Sequence, residues 1–214
     1  MRRLVLAFLG TAFIGTGGCQ AAPASTPSPS PVGVGGRVEL TDYGMALTFP
    51  SDWVWARHTP LDLDALWDQV ETRVSPEFAA EREETFRGLG PTTPVVAAPG
   101  PDDWCQLTTY PSDLTLDAMV ANDVAILEAA PDIGSRGVTV TDIALEAGDA
   151  KRIDWSLADE VGTILEASDY ELAHDGSLVL LSCATFLERR DDTWLAIAQS
   201  LEFLPQGLEL LPQG

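Results

Sequence analysis

The side chains best suited to chemistry are three cysteines and two histidines. None of them stands in a Cys-x-x-Cys or His-rich spacing, so we expect no metal site and no other cofactor. A Ser-His-Asp group needs a histidine beside a serine on a sharp turn, and the sequence has no Gly-x-Ser-x-Gly. We therefore predict no catalytic residue and no enzymatic activity. The five residues are Cys19, His58, Cys105, His174 and Cys183.

Acidic residues and tryptophans give weaker signals. The segment DLDALWD spaces Asp62, Asp64 and Asp68 like part of a calcium loop, but it lacks the mid-loop glycine and its leucines fit an apolar helix stripe. We interpret it as a solvated helix face. The six tryptophans could stack on carbohydrate, yet most fall at apolar strand or helix positions and are expected in the core. Trp55 is left open between these two roles.

The chain is strongly acidic, with 33 Asp and Glu against 12 Lys and Arg and a formal net charge of −21. Nucleic acid phosphates and anionic lipid headgroups repel such a surface. We therefore exclude nucleic acid as a partner and do not expect adsorption to a membrane by charge. The charge indicates either a solvated surface or an affinity for cations and basic partners.

Cys19 follows a segment with the layout of an export signal. Arg2 and Arg3 form a basic start, residues 4–14 are apolar, and small residues fill 15–18. The apolar run would rise about 16 Å as a helix, roughly half of a hydrocarbon core, which argues against a permanent transmembrane helix. The pattern resembles the lipobox of bacterial lipoproteins, with Thr16 where an aliphatic residue is usual.

The lipobox resemblance implies that residues 1–18 are a signal peptide and that Cys19 is acylated, with palmitate among the expected fatty acids. The protein would then lie on the extracytoplasmic face of the cell membrane, with membrane lipid as its first partner. The alternative is a soluble secreted protein cleaved near Gly18 or Ala22. Residues 19–36 continue as a linker rich in Pro, Ser and Gly, which has no apolar face to pack.

Residues 37–204 are long enough for one globular domain with its own core, and we expect 205–214 to be a frayed tail. The domain opens with a hairpin around Asp42-Tyr43-Gly44 that Pro50 is expected to end. Thr115 is expected to cap a helix that runs to about Ala129. Further elements are two helices within 60–74 and 76–87 and strands at 95–98 and 104–110.

The second half of the domain predicts a meander of four strands near 138–146, 150–158, 163–174 and 177–187. Its turns are expected at Gly148-Asp149, within 159–162, and at Asp175-Gly176, which is the strongest hairpin signal in the chain. Runs such as 178–181 are apolar on both faces. The fold class is therefore α+β, a mostly antiparallel β-sheet with helices on both faces. The last helix, 191–202, would bury one stripe made of Trp194, Ile197, Ala198 and Leu201.

Three stretches carry a resemblance to a known family. LTDYGMALTFPSDW (40–53) is similar to the opening hairpin of the PsbP-like family, and LEAGDAKRIDWSL (145–157) resembles its central glycine turn. The hairpin through Asp175-Gly176, followed by WLAIAQSLEFL (194–204), resembles its closing strand and helix. The family includes LpqN-like surface lipoproteins, and the resemblance implies an α-β-α sandwich without a shared catalytic residue.

Cys105 and Cys183 are left as a pair if lipid consumes Cys19. Exported proteins face oxidising conditions, so the pair is a candidate disulfide, provided that the two predicted strands bring the Cα atoms within about 7 Å. The alternative is two buried free thiols. Pairing across the Asp175-Gly176 turn is expected to put Cys183 opposite Ser168.

Together these features predict a membrane-anchored extracytoplasmic lipoprotein that acts as a non-catalytic binding or protein-interaction module of the cell envelope. The expected partner is another envelope protein or a small ligand, and no residue of the sequence identifies the ligand-binding surface. The alternative is an envelope hydrolase with an unrecognised active site.

Overall fold

The computed structural model describes residues 33–57, 93–100, 103–129, 138–158, 164–186 and 191–205. Within these ranges the chain forms nine strands, two α-helices and a single turn of 3-10 helix at Thr41–Tyr43. The strands are β1 (Gly33–Leu40), β2 (Met45–Arg57), β3 (Val95–Gly100), β4 (Asp103–Pro111), β5 (Thr139–Leu145), β6 (Gly148–Ala158), β7 (Ile164–His174), β8 (Ser177–Thr185) and β9 (Glu202–Phe203). The helices are α1 (Leu116–Ala129) and α2 (Asp191–Gln199).

The strands form one sheet in the order β1-β2-β3-β4-β8-β7-β6-β5, and β9 adds to β2. Every pairing between described strands is antiparallel. The predicted mostly antiparallel sheet is therefore confirmed. After β4 the chain crosses to the far edge of the sheet, where β5 lies. Strands β6, β7 and β8 then return toward the centre, so that β8, the last long strand, lies between β4 and β7 and joins the two halves of the sheet.

Two turns of the meander differ in how well local sequence predicts them. Asp175 and Gly176 both have positive φ, 45° and 73°, so they form the tight hairpin turn that joins β7 to β8. The predicted turn at Gly148-Asp149 is wrong. The turn lies at residues 146–147, and Gly148 already pairs with Leu145 as the first residue of β6, with a φ of 135° that other residues rarely adopt.

Pro50 does not end the opening hairpin, which corrects a second prediction. β2 runs on to Arg57 because its pairing with β1 jumps from Gly36↔Phe49 to Val34↔Val54. The residues between these pairs bulge past Gly35, where an added Cβ would meet the Cα of Ser51 at 2.6 Å. Proline has no N–H to give to a sheet, so an unpaired bulge position suits it. β1 also begins at Gly33, inside the segment that we predicted as linker.

Alternation along β2 separates two apolar cores on opposite faces of the sheet. Trp53 belongs to one core and Val54 to the other. The first, the α2-side core, contains Trp194, Ile197, Ala198 and Leu201, all at most 1% exposed. The second, the α1-side core, includes buried Val120, Ile153, Trp155, Ala167 and Ala184. The helices predicted within 60–74 and 76–87 lie outside the described residues, so a full α-β-α sandwich stays a prediction.

The start of α1 and the end of α2 each have an identifiable cause. The Thr115 hydroxyl accepts a hydrogen bond from the backbone N–H of Ala118 at 3.3 Å, which caps α1 as predicted. α2 ends at Gln199 instead of 202, because Glu202 and Phe203 pair with Ala46 and Met45 of β2. Among the described residues, no helix has the length and apolarity needed to cross a bilayer.

Candidate functional site

The two cysteines of the domain are bonded to each other. Cys105 on β4 lies directly opposite Cys183 on β8, with their Cα atoms 4.1 Å apart and a disulfide between them. Both are fully buried in the α2-side core. Cys183 also pairs with Ser168 on its other side, as the hairpin register predicted. Cys19 lies outside the described residues.

His174 does not sit beside a catalytic group in the described structure. Its ring stacks on Phe203, with ring centroids 3.4 Å apart and an angle of 5° between the planes. Its Nε2 lies 3.4 Å from the Asp175 carboxylate, at the exposed turn after β7. His58 lies outside the described residues. No group of three His, Cys, Asp or Glu side chains in the described ranges could hold a metal ion, and the absence of a metal site stays a prediction.

Trp55, which the sequence left open, is 8% exposed. Its indole N–H donates to the backbone oxygen of Gly35 at 3.0 Å, and its ring lies where a side chain on Gly33 would stand. Trp55 is therefore a buried packing residue that contacts the start of β1. Trp53, Trp104, Trp155 and Trp194 are also buried, as the strand and helix patterns predicted.

The most unusual chemistry of the described residues lies beneath α1, where Asp123, Asp169 and Glu171 form what we call the carboxyl cluster. Asp169 and Glu171 share the face of β7 that carries Ala167, and this face packs in the α1-side core. Asp123 comes from α1, one turn after Val120, which is buried in the same core. The cluster therefore joins the helix to the centre of the sheet.

Asp169 is held by two donors. The Ser182 hydroxyl donates to Oδ1, and the Trp155 indole N–H donates to Oδ2 at 2.6 Å. Burial raises the pKa of Asp169 to about 6, and the two hydrogen bonds counter part of that rise. The charges of Asp123 and Asp154 add a smaller upward contribution to this pKa. Asp169 is consequently a carboxylate at neutral pH with a fixed orientation.

Glu171 is the least compensated member of the cluster. It is 1% exposed, and neither carboxyl oxygen accepts a hydrogen bond from a described residue. Burial raises the pKa of Glu171 to about 9, and the negative charges of Asp123 and Asp169 add to this rise. At neutral pH Glu171 is therefore a neutral acid that can donate a hydrogen bond.

The nearest lysine does not neutralise Glu171. Lys151 on β6 is its cross-strand partner, yet the Lys151 ammonium binds Asp142 at 2.6 Å and Asp117 at 2.9 Å. These two contacts, that with Asp142 first, raise the pKa of Lys151 to about 12. Lys151 thus links the start of α1 to the edge strand β5.

Tyr110 on β4 is a further buried titratable group near the cluster. Burial raises the pKa of Tyr110 to about 12, and its hydroxyl donates a hydrogen bond to the Met119 sulfur at 3.1 Å.

The sequence analysis did not find this cluster. One signal was available, because Asp169 and Glu171 stand two residues apart on the apolar-patterned strand that carries Leu165 and Ala167 on the same face. Two acids on a covered strand face require compensation, and the donors that compensate Asp169, Trp155 and Ser182, come from neighbouring strands. At neutral pH the cluster combines an ionised carboxylate, Asp169, with a neutral carboxyl group, Glu171.

With the geometry described, the fold can be classed by comparison with solved structures, and it is PsbP-like. The cyanobacterial PsbP protein, CyanoP, of Synechocystis matches with a TM-score of 0.51 and 12% identity, over 85% of this chain and 99% of that chain. LpqN of Mycobacterium tuberculosis, involved in cell envelope biogenesis, matches with a TM-score of 0.43 and 12% identity, over 80% of this chain and 86% of that chain. No protein-family model and no curated protein sequence matches the chain.

Proposed function

We propose that this chain is a membrane-anchored extracytoplasmic lipoprotein whose PsbP-like domain is a non-catalytic binding or protein-interaction module of the cell envelope. The observation that carries the proposal is the Cys105–Cys183 disulfide. Disulfides persist in oxidising compartments outside the cytoplasm, which supports export of the domain. Because the chain has three cysteines, this pairing leaves Cys19 available for acylation.

The anchor follows from the lipobox-like segment before Cys19. Each buried methylene of an acyl chain stabilises membrane attachment by about 0.8 kcal/mol, so two or three chains hold the protein without help from charge. Help from charge is not expected, since a net charge of −21 repels anionic headgroups. The linker before Gly33 would hold the domain off the lipid surface, where it can meet a partner.

A binding role fits the way the reactive side chains are used. Cys105 and Cys183 are bonded to each other, His174 is stacked on Phe203, and Trp55 is buried. Helix α1 packs over the face that carries the carboxyl cluster. These residues stabilise the domain, and the acidic exterior suits a basic face on an envelope protein. We also propose that the unplaced helices complete an α-β-α sandwich.

The second candidate is an envelope hydrolase, and one observation favours it. Glu171 carries a raised pKa of about 9 in a cluster of carboxyl groups, and such shifts are frequent at catalytic sites. Against it, Glu171 is 1% exposed, so a substrate would have to displace α1 to reach it.

Cross-linking in intact membranes distinguishes the two candidates. The full-length protein is compared with Cys19→Ala, and the purified chain is assayed in parallel against ester, peptide and glycoside substrates. The proposal expects a discrete cross-linked partner that is lost with Cys19→Ala and weakened by high salt, without turnover of any substrate. Turnover that Glu171→Gln abolishes, with no cross-linked partner, would establish the hydrolase instead.

A further inference from the structure

We propose that strand β5 is an open sheet edge that adds an extended segment of a partner protein, in which basic residues alternate with apolar ones. β5 (Thr139–Leu145) is the last strand of the sheet, and among the described residues it pairs with β6 alone. Extended peptides bind such edges through main-chain hydrogen bonds, and their side chains supply the specificity. A partner at this edge rests on the proposed interaction role and gives it a surface and a chemistry.

The pairing of β5 with β6 leaves one row of backbone groups directed away from the sheet. Leu145 and Gly148 enclose a two-residue turn and lie opposite each other, so they form a hydrogen-bonded pair. Hydrogen-bonded and non-hydrogen-bonded pairs alternate along antiparallel strands, and the register is unbroken along the whole of β5. The N–H and C=O groups of Val140, Asp142 and Ala144 therefore point to the open edge, where they can bond to another strand.

The two edges of the sheet differ in their protection against such pairing. At the opposite edge, β1 has positive φ at Gly35 and Gly36, and its pairing with β2 is interrupted there. β1 also carries the charged residues Arg37 and Glu39. Kinks and charges of this kind keep foreign strands away from an edge. β5 reads TVTDIAL, without proline, lysine or a positive φ, and Asp142 is its one charged residue.

The side chains of β5 are accessible and suited to an extended neighbour. Residues 139–142 are exposed, and Val140 keeps 42% of its surface exposed. Four of the seven residues are β-branched, which favours strand pairing. Val140 lies opposite Ile153 on the α1 side of the sheet, whereas Ile143 packs against the α2-side core. An incoming strand thus meets different side chains on its two faces.

The charges near β5 decide which kind of strand fits. On the α1 side, Lys151 is shared between Asp142 at 2.6 Å and Asp117 at 2.9 Å, so the acids outnumber it. The turn to β6 adds exposed Glu146, and exposed Asp149 follows it. Basic residues on the α1 side of the incoming strand complement these acids, and apolar residues on its other side extend the α2-side core. A second copy of the chain is a poor occupant, because each copy has a formal net charge of −21.

Peptide binding followed by residue-resolved hydrogen exchange tests the proposal. The probe is a synthetic peptide of alternating lysine and valine, added to the full-length chain. At about ten times the dissociation constant, amide exchange of Val140, Asp142 and Ala144 should slow by about tenfold, because these amides exchange from the unbound protein. The amides of Thr141 and Ile143 already bond to β6 and should keep their exchange rates.

Two methylated forms of the probe separate strand addition from attraction by charge. Residues directly opposite each other share a face of the sheet, so lysines on the α1 side bond to the outward groups of β5 through their own backbone. N-methylation of the lysine amides removes these donors and should weaken binding by about tenfold or more. N-methylation of the valine amides leaves the donors in place and should preserve binding. Both methylated peptides carry the same charge.

Val140→Pro and Val140→Thr form a matched pair of variants in the protein. Proline removes an N–H that points away from β6, so β5 should still form while an incoming strand loses a donor. Threonine keeps this N–H and the β-branched shape. In the cross-linking experiment in intact membranes, Val140→Pro should lose the partner that wild type and Val140→Thr retain. If Val140→Pro does not fold, the two methylated peptides carry the test.

The β5 edge is overturned as a binding site if both methylated peptides bind equally, or if the probe binds without slowing exchange of Asp142 and Ala144. It is also overturned if these amides are already protected in the unliganded chain, because another segment or a second copy would then cover the edge. A cross-linked partner that Val140→Pro retains would overturn the edge and leave the interaction role intact. Wild type that cross-links to no partner would contradict the proposed function, while the probe still decides whether β5 adds a strand.

Discussion

Cys105 and Cys183 lie directly opposite each other on β4 and β8, and their disulfide ties the first half of the domain to the last long strand. The bond closes a segment with a sequence separation of 78 that contains α1, β5, β6 and β7. It also links strands that hydrogen-bond to each other from Asp103↔Thr185 to Pro111↔Ser177. The disulfide therefore cross-links two central strands of the sheet.

Reduction of this disulfide should lower the free energy of unfolding by about 4–5 kcal/mol in the chain-entropy model, since the loop is long. Urea unfolding with and without reductant measures the change, and Cys19→Ser serves as background so that the pair alone responds. The intact mass of the unreduced Cys19→Ser chain should be two hydrogens below that of the reduced chain. Two thiols that alkylate on denaturation without reductant would contradict the pairing.

Gly33→Ala should destabilise the start of β1. An added Cβ would overlap the Trp55 ring. Gly33 does not have a positive φ, so the substitution tests this contact without added backbone strain. Overpacking of this kind costs about 1–3 kcal/mol. The control is the same substitution in a Trp55→Leu background, where the smaller side chain should remove most of the cost. Equal losses in both backgrounds would mean that the contact with Trp55 does not limit this position.

Asp169 should make tryptophan fluorescence depend on pH. Trp155 donates its indole N–H to Asp169, whose pKa is about 6 in the folded protein, so emission should change with a midpoint near that pH. Because this pKa lies above the ordinary 3.8, the contribution of Asp169 to stability should be lost as the pH rises through about 6. Asp169→Asn should remove both effects.

The midpoint itself can be shifted. Ser182→Ala removes a donor that stabilises the Asp169 carboxylate, so the fluorescence midpoint should move to higher pH. Ser156→Ala, at a buried serine of β6 on another part of the sheet, is the matched control and should keep the wild-type midpoint. A midpoint that moves equally in both variants would show that general loosening of the core causes the change.

Those parts of the fold that depend on a short stretch of sequence could be predicted. Asp175-Gly176 fixes its hairpin through positive φ angles, and the Thr115 hydroxyl caps α1 within four residues. The stripe of α2 was predicted because helical spacing alone brings Trp194, Ile197 and Ala198 to one face. These features needed no information from distant parts of the chain.

The wrong predictions concern features of the fold that depend on residues far away in the sequence. Pro50 stays within a strand because Gly35 leaves room for the bulge opposite it, and the end of α2 is set by pairing of Glu202 with β2. The carboxyl cluster was missed for the same reason. Asp123 looks like any polar helix residue until the fold puts Glu171 beneath it.

The central claim, attachment through lipid on Cys19, is tested most directly by mass spectrometry of the protein purified from membranes. We expect an N-terminal peptide that begins at Cys19 and carries a diacylglycerol thioether, and a Cys19→Ala variant that is released from membranes or remains unprocessed. Lipid attachment at Cys19 would be disproved by a wild-type chain that begins elsewhere, such as at Pro23, carries no fatty acid and washes off with the soluble fraction.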